Sequence, residues 1–449
     1  MKRKNRGPGK TAWLIIIMMI LPAGVVPLFA QGLFEQAAGE GNNKSYELNG
    51  YIRGLEWVGE RAGAPAWEQK SLYAEGSLQL KAGFGRRAGA FMDLRLRGGL
   101  PGSFEGNGPD LREAYVNMYF GKLSFRVGQQ IDVWGRVDSY SPVDNITPVN
   151  PLFHSPNPDD IRLGNFLFRG NMQFTQSLSL EGVWIPMYKP SVLPINQDLD
   201  PRVSFLPVQQ PSFDLKHSGY AFKLNLDRPA GGGSLSWFDG YEPYPGLQFG
   251  GISQDQEGNF RVEVAQTPFR EQVAGLGFET AVGSFGLRGE VAWRNTVNHE
   301  EHYNMAWPDL RYVFGVDRTF GSFTLVLQYV GHYVLDYTAP ADPDDPTGSP
   351  VLLIQYFNRM MFRQLDRVSH MVSLTPSLSL LHDELQAEVY GEYNFTTKEY
   401  FLYPKIQWKA SDMLQLTLGG NIFHGDKNSL YDMVRPLMNG VFVECRLTF

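Results

Sequence analysis

From about residue 46 to the C-terminus this sequence repeats with a period of two. Over residues 72–82, Leu72, Ala74, Gly76, Leu78, Leu80 and Ala82 alternate with Tyr73, Glu75, Ser77, Gln79 and Lys81. Ala114, Val116, Met118 and Phe120 alternate with Tyr115, Asn117 and Tyr119. Leu385, Ala387, Val389 and Gly391 alternate with Gln386, Glu388, Tyr390 and Glu392, and Leu414, Leu416, Leu418, Gly420 and Ile422 with Gln415, Thr417, Gly419 and Asn421. Successive side chains of a strand point to opposite faces, so each segment reads as a strand with one apolar and one polar face.

A soluble sandwich gives the same alternation, but three features favour an all-β transmembrane antiparallel barrel. The strands run 10–13 residues, against about 5–6 in ordinary sheets. The polar face carries both signs of charge, as in Arg95 with Arg97, Arg288 with Glu290, and Glu388 with Glu392. Short and long connections alternate, as they do in outer-membrane barrels. The short ones are 83–87, 121–122, 176–177, 229–234, 283–284, 321–322, 381–384 and 409–412. Eight hairpins, with one strand before them (46–57) and one after (439–449), make eighteen strands. Sixteen is the alternative if the hairpin around Gly231–Gly233 is a loop excursion. An even count puts both termini on the short-turn, periplasmic side and the long loops outside. Closure follows from solvation: in lipid every backbone N–H and C=O needs a partner within the protein, which an open edge cannot supply.

The termini support this. Lys2, Arg3, Lys4, Arg6 and Lys10 precede an apolar run, Pro22 and small residues up to Ala30, the layout of an export signal over 1–30. A short segment, 31–44, then leads into a single barrel, 45–449. Removing 1–30 leaves 35 basic against 47 acidic residues, a net of −12, which is unlike a nucleic-acid binder. After residue 30 no apolar stretch approaches the length of a membrane helix, and one cysteine, Cys445, excludes a disulfide scaffold. The 48 glycines and 60 aromatic residues (9 Trp, 21 Tyr, 30 Phe) suit a β-protein with many turns. Trp57, Trp67, Tyr119, Trp184, Trp293 and Trp408 fall near strand ends, where interfacial girdles are expected. At the C-terminus Val441, Val443, Cys445, Leu447 and Phe449 share one face. An amphipathic last strand ending in Phe449 resembles the signal read by barrel-assembly machinery, which implies that machinery and outer-membrane lipid as partners.

Residues 126–151 carry a second resemblance. Gly128, Gln129 and Gln130 end a strand, Trp134–Gly135 follow, and Asp144, Asn150 and Pro151 lie in the ensuing loop. Glu181, Trp184 and Pro186 form a later Glu-x-x-Trp-x-Pro. Together these resemble a Gram-negative outer-membrane porin-like family of unknown function, with Gln129 standing where Arg is more usual. More distantly the layout is similar to alginate-type and fatty-acid-transporter-like barrels. The resemblance implies the outer membrane of a diderm bacterium and no particular solute. Gly128, Gln130, Trp134, Gly135, Asp144 and Asn150 are therefore candidates for a constriction loop, folding inward or capping outward.

Candidate pore-lining residues are the charges of the polar face: Arg53, Glu75, Arg95, Arg97, Glu113, Arg126, Arg169, Glu181, Arg288, Glu290, Glu388, Glu392, Lys405, Glu444 and Arg446. Mixed signs predict weak charge selectivity, either through facing rows or through ion pairs. Residues 351–365 predict an amphipathic helix with Gln355, Asn358, Arg359, Arg363 and Asp366 as its polar side, in the barrel mouth or packed on other loops. No nucleophile elbow occurs, His299 and His302 lack zinc spacing, and Asp342, Asp344 and Asp345 lack the Gly and Glu of a calcium loop. No enzyme activity, cofactor or metal is expected. The sequence reads as an outer-membrane porin or channel for small solutes, constricted by inward-folded loops. A transporter of amphiphilic solutes and a surface adhesin or structural barrel stay open as alternatives.

Overall fold

The computed structural model describes residues 44–61, 66–100, 107–193, 202–254, 258–297, 299–340 and 349–449. The expected export signal, the segment that follows it to residue 43, and Asp342, Asp344 and Asp345 lie outside these.

Eighteen strands close into one ring. They are β1 (Lys44–Glu60), β2 (Trp67–Phe84), β3 (Ala88–Leu100), β4 (Gly108–Phe120), β5 (Leu123–Gln130), β6 (Asn165–Gln173) and β7 (Leu178–Ile185). After β8 (Val203–Phe205) come β9 (Gly219–Arg228) and β10 (Gly231–Tyr241), and after β11 (Gly246–Gln254) and β12 (Phe260–Thr267) the ring resumes with β13 (Arg270–Val282) and β14 (Phe285–Asn295). It continues through β15 (Asp309–Phe320), β16 (Phe323–Val334), β17 (Val368–Leu380), β18 (Leu385–Asn394), β19 (Glu399–Lys409), β20 (Leu414–His424) and β21 (Gly440–Thr448). Each strand pairs antiparallel with the next, and β21 closes on β1 with Arg53 opposite Arg446. All eight expected tight turns form, including the one before Gly231, so the count is eighteen and not sixteen. Two-residue turns need a positive φ, and Gly121, Gly283 and Gly321 supply it at +62°, +62° and +61°.

Burial is inverted relative to a soluble sheet. Leu78, Leu96, Val116, Phe222, Leu235, Phe314, Ile406, Leu418, Val441 and Val443 are exposed on the outside, while Arg53, Glu75, Ser77, Glu181, Glu290, Gln328, Ser373, Thr417 and Glu444 are buried within. An exterior so apolar suits lipid, not water. Trp67, Trp293 and Trp408 are exposed, and Trp184 faces outward stacked on Phe168. Trp57 does not join that girdle. It shares the register of Arg53 and Leu55, points inward, is 1% exposed, and stacks between His154 and Phe442 at 4.7 Å from each. Tyr119 likewise keeps the inward register of Tyr115 and Asn117, at the short-turn rim.

The long loops build a cap at the other rim. β8, β11 and β12 form a separate three-stranded sheet. Two helices accompany it: α1 (Pro350–Met361), shorter than the expected 351–365, and α2 (Leu430–Met438). Among the described residues no helix is long and apolar enough to cross a membrane. Ile354 of α1 packs with Leu193, Leu247 and Val264. Of the expected polar side, Asn358 meets the edge of β11, while Arg363 and Asp366 lie beyond the end of α1. Asn358 accepts from Leu247 N at 2.8 Å and donates to Leu247 O at 2.8 Å. Arg359 is also buried, its guanidinium 3.6 Å from the centre of the Trp307 ring. The helix thus packs on neighbouring loops and does not offer an apolar surface to the barrel mouth.

Candidate functional site

The loop that joins β5 to β6, residues 131–164, enters the barrel. Its departure is set at Gly128, whose φ is +136° and where a Cβ would stand 2.2 Å from Ala114 O. Gln130 is fully buried and donates to Leu167 O at 3.1 Å. Asp132 and Thr147 close the neck, with Asp132 N donating to Thr147 Oγ1 at 3.0 Å and Thr147 Oγ1 to Asp132 O at 2.7 Å. Burial pushes the Asp132 carboxyl up to about 6, the nearby Arg169 opposing it.

Beyond the neck the loop holds one side of the wall. Trp134, Val143 and Ile146 pack with Leu167, Val183, Ile185, Ala221, Phe238, Val273 and Ala292, from β6, β7, β9, β10, β13 and β14. Trp134 Nε1 donates to Glu181 Oε1 at 2.8 Å, and Trp134 N to Asp144 Oδ1 at 3.1 Å. Asp144 also meets Arg162 at 2.9 Å, and Asn150 Oδ1 accepts from Leu152 N at 3.1 Å. Gly135, at φ +140°, turns the chain toward the short-turn rim.

The same loop then holds the opposite side. Tyr140 donates to Glu392 on β18 at 2.8 Å. Phe153 packs with Leu55, Trp57, Tyr73, Tyr403 and Phe442. Tyr73 donates to His154 O at 3.0 Å and Tyr403 to Pro156 O at 2.7 Å. A short 3-10 turn, Pro158–Ile161, capped by the Asn157 side chain, presents Asp160 to Arg53 at 2.8 Å and to Arg95 at 2.9 Å. β1 and β13 stand nine places apart in the ring of eighteen, so the two sets of anchors face each other across the lumen. The loop folds inward; it is not an outward cap.

All fifteen charges expected to line a pore keep the inward register. The structure gathers several into one ion-paired cluster. Arg53 lies 2.7 Å from Glu75 and 3.3 Å from Glu444, and Arg97 Nε donates to Glu75 at 2.9 Å. With Arg95, Arg112, Asp93 and Asp160 the cluster holds four arginines and four carboxylates, a net of zero. Arg169 bridges Asp132, at 3.3 Å, and Glu181. Glu113 accepts from Ile131 N at 3.0 Å, and Lys405 meets Glu388 at 3.3 Å. Arg288 joins Asp138 of the loop to Asp317, and Glu290 accepts from Ser141 at 2.7 Å. Glu392 accepts from Tyr140, Tyr390 and Tyr431. Arg126 and Arg446 have no carboxylate partner among the described residues; they lie over the rings of Tyr115 and Tyr51, at 4.3 and 3.9 Å.

Several residues central to this arrangement carry little local signal. Asp160, Arg136, Asp138 and Tyr140 act through partners 65 to 252 positions away. Only Asp160 had a cue, the Asn157–Pro158 helix start before it. A second knot was also missed: Arg294 holds Glu271 at 2.7 Å, Glu242, and Asn145 Oδ1 at 2.8 Å. Among the described residues no group of three or more His, Cys, Asp or Glu is placed to hold a metal ion.

Closed ring, apolar exterior, charged interior and a loop across the lumen describe a known architecture. The fold is that of Gram-negative outer-membrane porins. OccAB2 of Acinetobacter baumannii is similar with a TM-score of 0.54 at 9% identity, covering 91% of this chain and 99% of that one. OpdO of Pseudomonas aeruginosa gives 0.53 at 11% identity, covering 90% and 96%, and OpdK of the same organism 0.54 at 8%, covering 90% and 98%. No protein-family model and no curated protein matches the sequence.

Proposed function

We propose that this chain is an outer-membrane diffusion channel for small solutes, narrowed by the loop 131–164. The span of that loop carries the reading: it is fixed to the wall around Trp134 on one side and around Phe153 and Asp160 on the other. An eighteen-strand ring encloses more space than its own side chains fill, so its width depends on what folds into it. On this reading the fifteen inward charges line the path, and 1–30 is the export signal. The short turns then lie in the periplasm, and Phe449 marks the strand presented to the assembly machinery. On this reading the segment from Gly128 to Pro151 builds the neck and first anchor of the constriction.

Pairing within the Arg53 cluster leaves little net charge on that wall, which supports weak selectivity. An amphiphile transporter is disfavoured, since the apolar side of α1 is covered by the loop sheet. No observation favours an adhesin or an enzyme. One similar structure, OpdK of Pseudomonas aeruginosa, was solved with vanillate, so a small aromatic acid is a sensible first solute to test. Reconstituted in planar bilayers, the protein should give stepwise ohmic currents with a cation-to-anion permeability ratio near unity. Insertion of folded barrels without conductance would refute the channel.

A further inference from the structure

The tip of the inward loop ends at a seat that the channel reading does not require. Arg136 reaches the short-turn rim, where its Nη2 lies 2.7 Å from Asp227 Oδ1 and its Nη1 bonds Glu279. Asp227 and Glu279 stand on either side of Gly232 across three adjacent strands, each in direct register with it. The missing side chain makes the seat: a Cβ on Gly232 would lie 2.7 Å from Arg136 Nη1, 3.0 Å from Asp227 and 3.2 Å from Glu279. Arg136 Nη2 also donates to Gly233 O at 3.3 Å. Gly232, in the hairpin that left the strand count open, is therefore the floor of a guanidinium notch. Two residues on, Asp138 pairs with Arg288. A cavity of about 320 Å³, lined by Asp227, Gly232, Glu279 and Arg288, opens beside the notch.

The two ends of this tip are held differently from the tip itself. Trp134 is buried in the wall cluster, and Tyr140 and Ser141 bond the inward carboxylates Glu392 and Glu290. Between them the tip rests on ion pairs whose acids keep contact with water, the Asp227 and Glu279 side chains being 61% and 45% exposed against 10% for Arg136, and on a backbone tether, from Arg136 N to the buried Glu290. Pairs of that kind are weak and are screened by salt, over about 10 Å at 0.1 M and about 3 Å at 1 M. Gly135 lies at one end of the tip with a φ of +140°.

We propose that residues 135–138 form a salt-sensitive latch at the short-turn mouth, closed when Arg136 sits over Gly232 between Asp227 and Glu279. Release swings the tip about Gly135 and changes the aperture. That last consequence rests on the channel reading; the latch itself does not.

The test uses the full chain with Val137→Cys as a thiol reporter in a Cys445→Ala background. Barrel closure is checked by heat-modifiable gel migration. Labelling by a small charged thiol reagent is followed with Arg136 intact, in Arg136→Gln, and in Gly232→Val, which fills the notch and leaves the arginine. At about 50 mM salt both substitutions raise the labelling rate about two- to fivefold, and at about 1 M salt the unlatched and latched forms converge. Conductance of the same proteins rises in parallel at low salt. Folded Arg136→Gln labelling at the rate of the latched form at both salts would overturn the latch, even if Gly232→Val fails to fold. Altered labelling without conductance in any form supports the latch and refutes the channel instead.

Discussion

Arg53 on the first strand and Asp160 in the inward loop lie 2.8 Å apart and 107 residues apart in sequence, and Arg95 meets the second carboxylate oxygen at 2.9 Å. Burial alone would raise the Asp160 carboxyl, but the two guanidiniums outweigh it and hold it below the usual carboxylate range. Removing one partner of a buried network leaves the others uncompensated, at about 3–5 kcal/mol. Asp160→Ala therefore destabilises the folded barrel by about that much in urea titrations, and Asp160→Asn by less. Because the folded pKa is depressed, the contribution is present above the unfolded pKa and is lost only as pH falls through the folded one. The mutant-to-wild-type difference should be flat from neutral pH down to about 4.

Asp132 behaves in the opposite sense. Its carboxyl, raised to about 6 by burial, favours the folded state below the unfolded pKa and loses that advantage as pH rises through about 6. Asp132→Asn should match wild type near pH 4 and be more stable at pH 7.5 by about 1–3 kcal/mol, read from the same urea titrations at the two pH values.

Gly128 makes a sharper demand on the backbone. At φ +136°, with Ala114 O and Tyr115 Cα 2.2 and 2.8 Å from the Cβ position, no side chain fits without moving β4. Gly128→Ala should cost at least about 2 kcal/mol and lower the yield of heat-modifiable barrel.

These sites divide into what the sequence makes readable and what it does not. Alternation exposed the strands because lipid outside and charge inside impose opposite demands on neighbouring residues, as at Leu78 and Glu75. Glycine and polar pairs such as Gly121–Lys122 exposed the turns for local reasons. The same local logic misplaced Trp57, which lies near a strand end but shares the inward register of Arg53. It left the place of the loop helix open between the barrel mouth and other loops, because the partner of Asn358 is a sheet edge 111 residues away. The path of the loop was not legible, because its anchors at Tyr140 and Phe153 find partners from distant strands, which no window on the sequence brings together.

Asn358 offers a test of the cap alone. Asn358→Leu keeps the size of the side chain and leaves both Leu247 backbone groups unpaired, at about 1–3 kcal/mol each. Amide exchange should accelerate over β11 and α1 while the eighteen strands keep their protection.

The most direct measurement is the single-channel conductance of the barrel with residues 136–155 replaced by a short Gly-Ser linker. This removes the crossing segment and its tethers to Glu392, Glu290 and Asp227, together with Thr147 of the neck, and leaves Trp134 bonded to Glu181. The account predicts folded barrels whose conductance rises severalfold over the intact protein. Folded barrels with unchanged conductance would contradict a loop that sets the width of the channel.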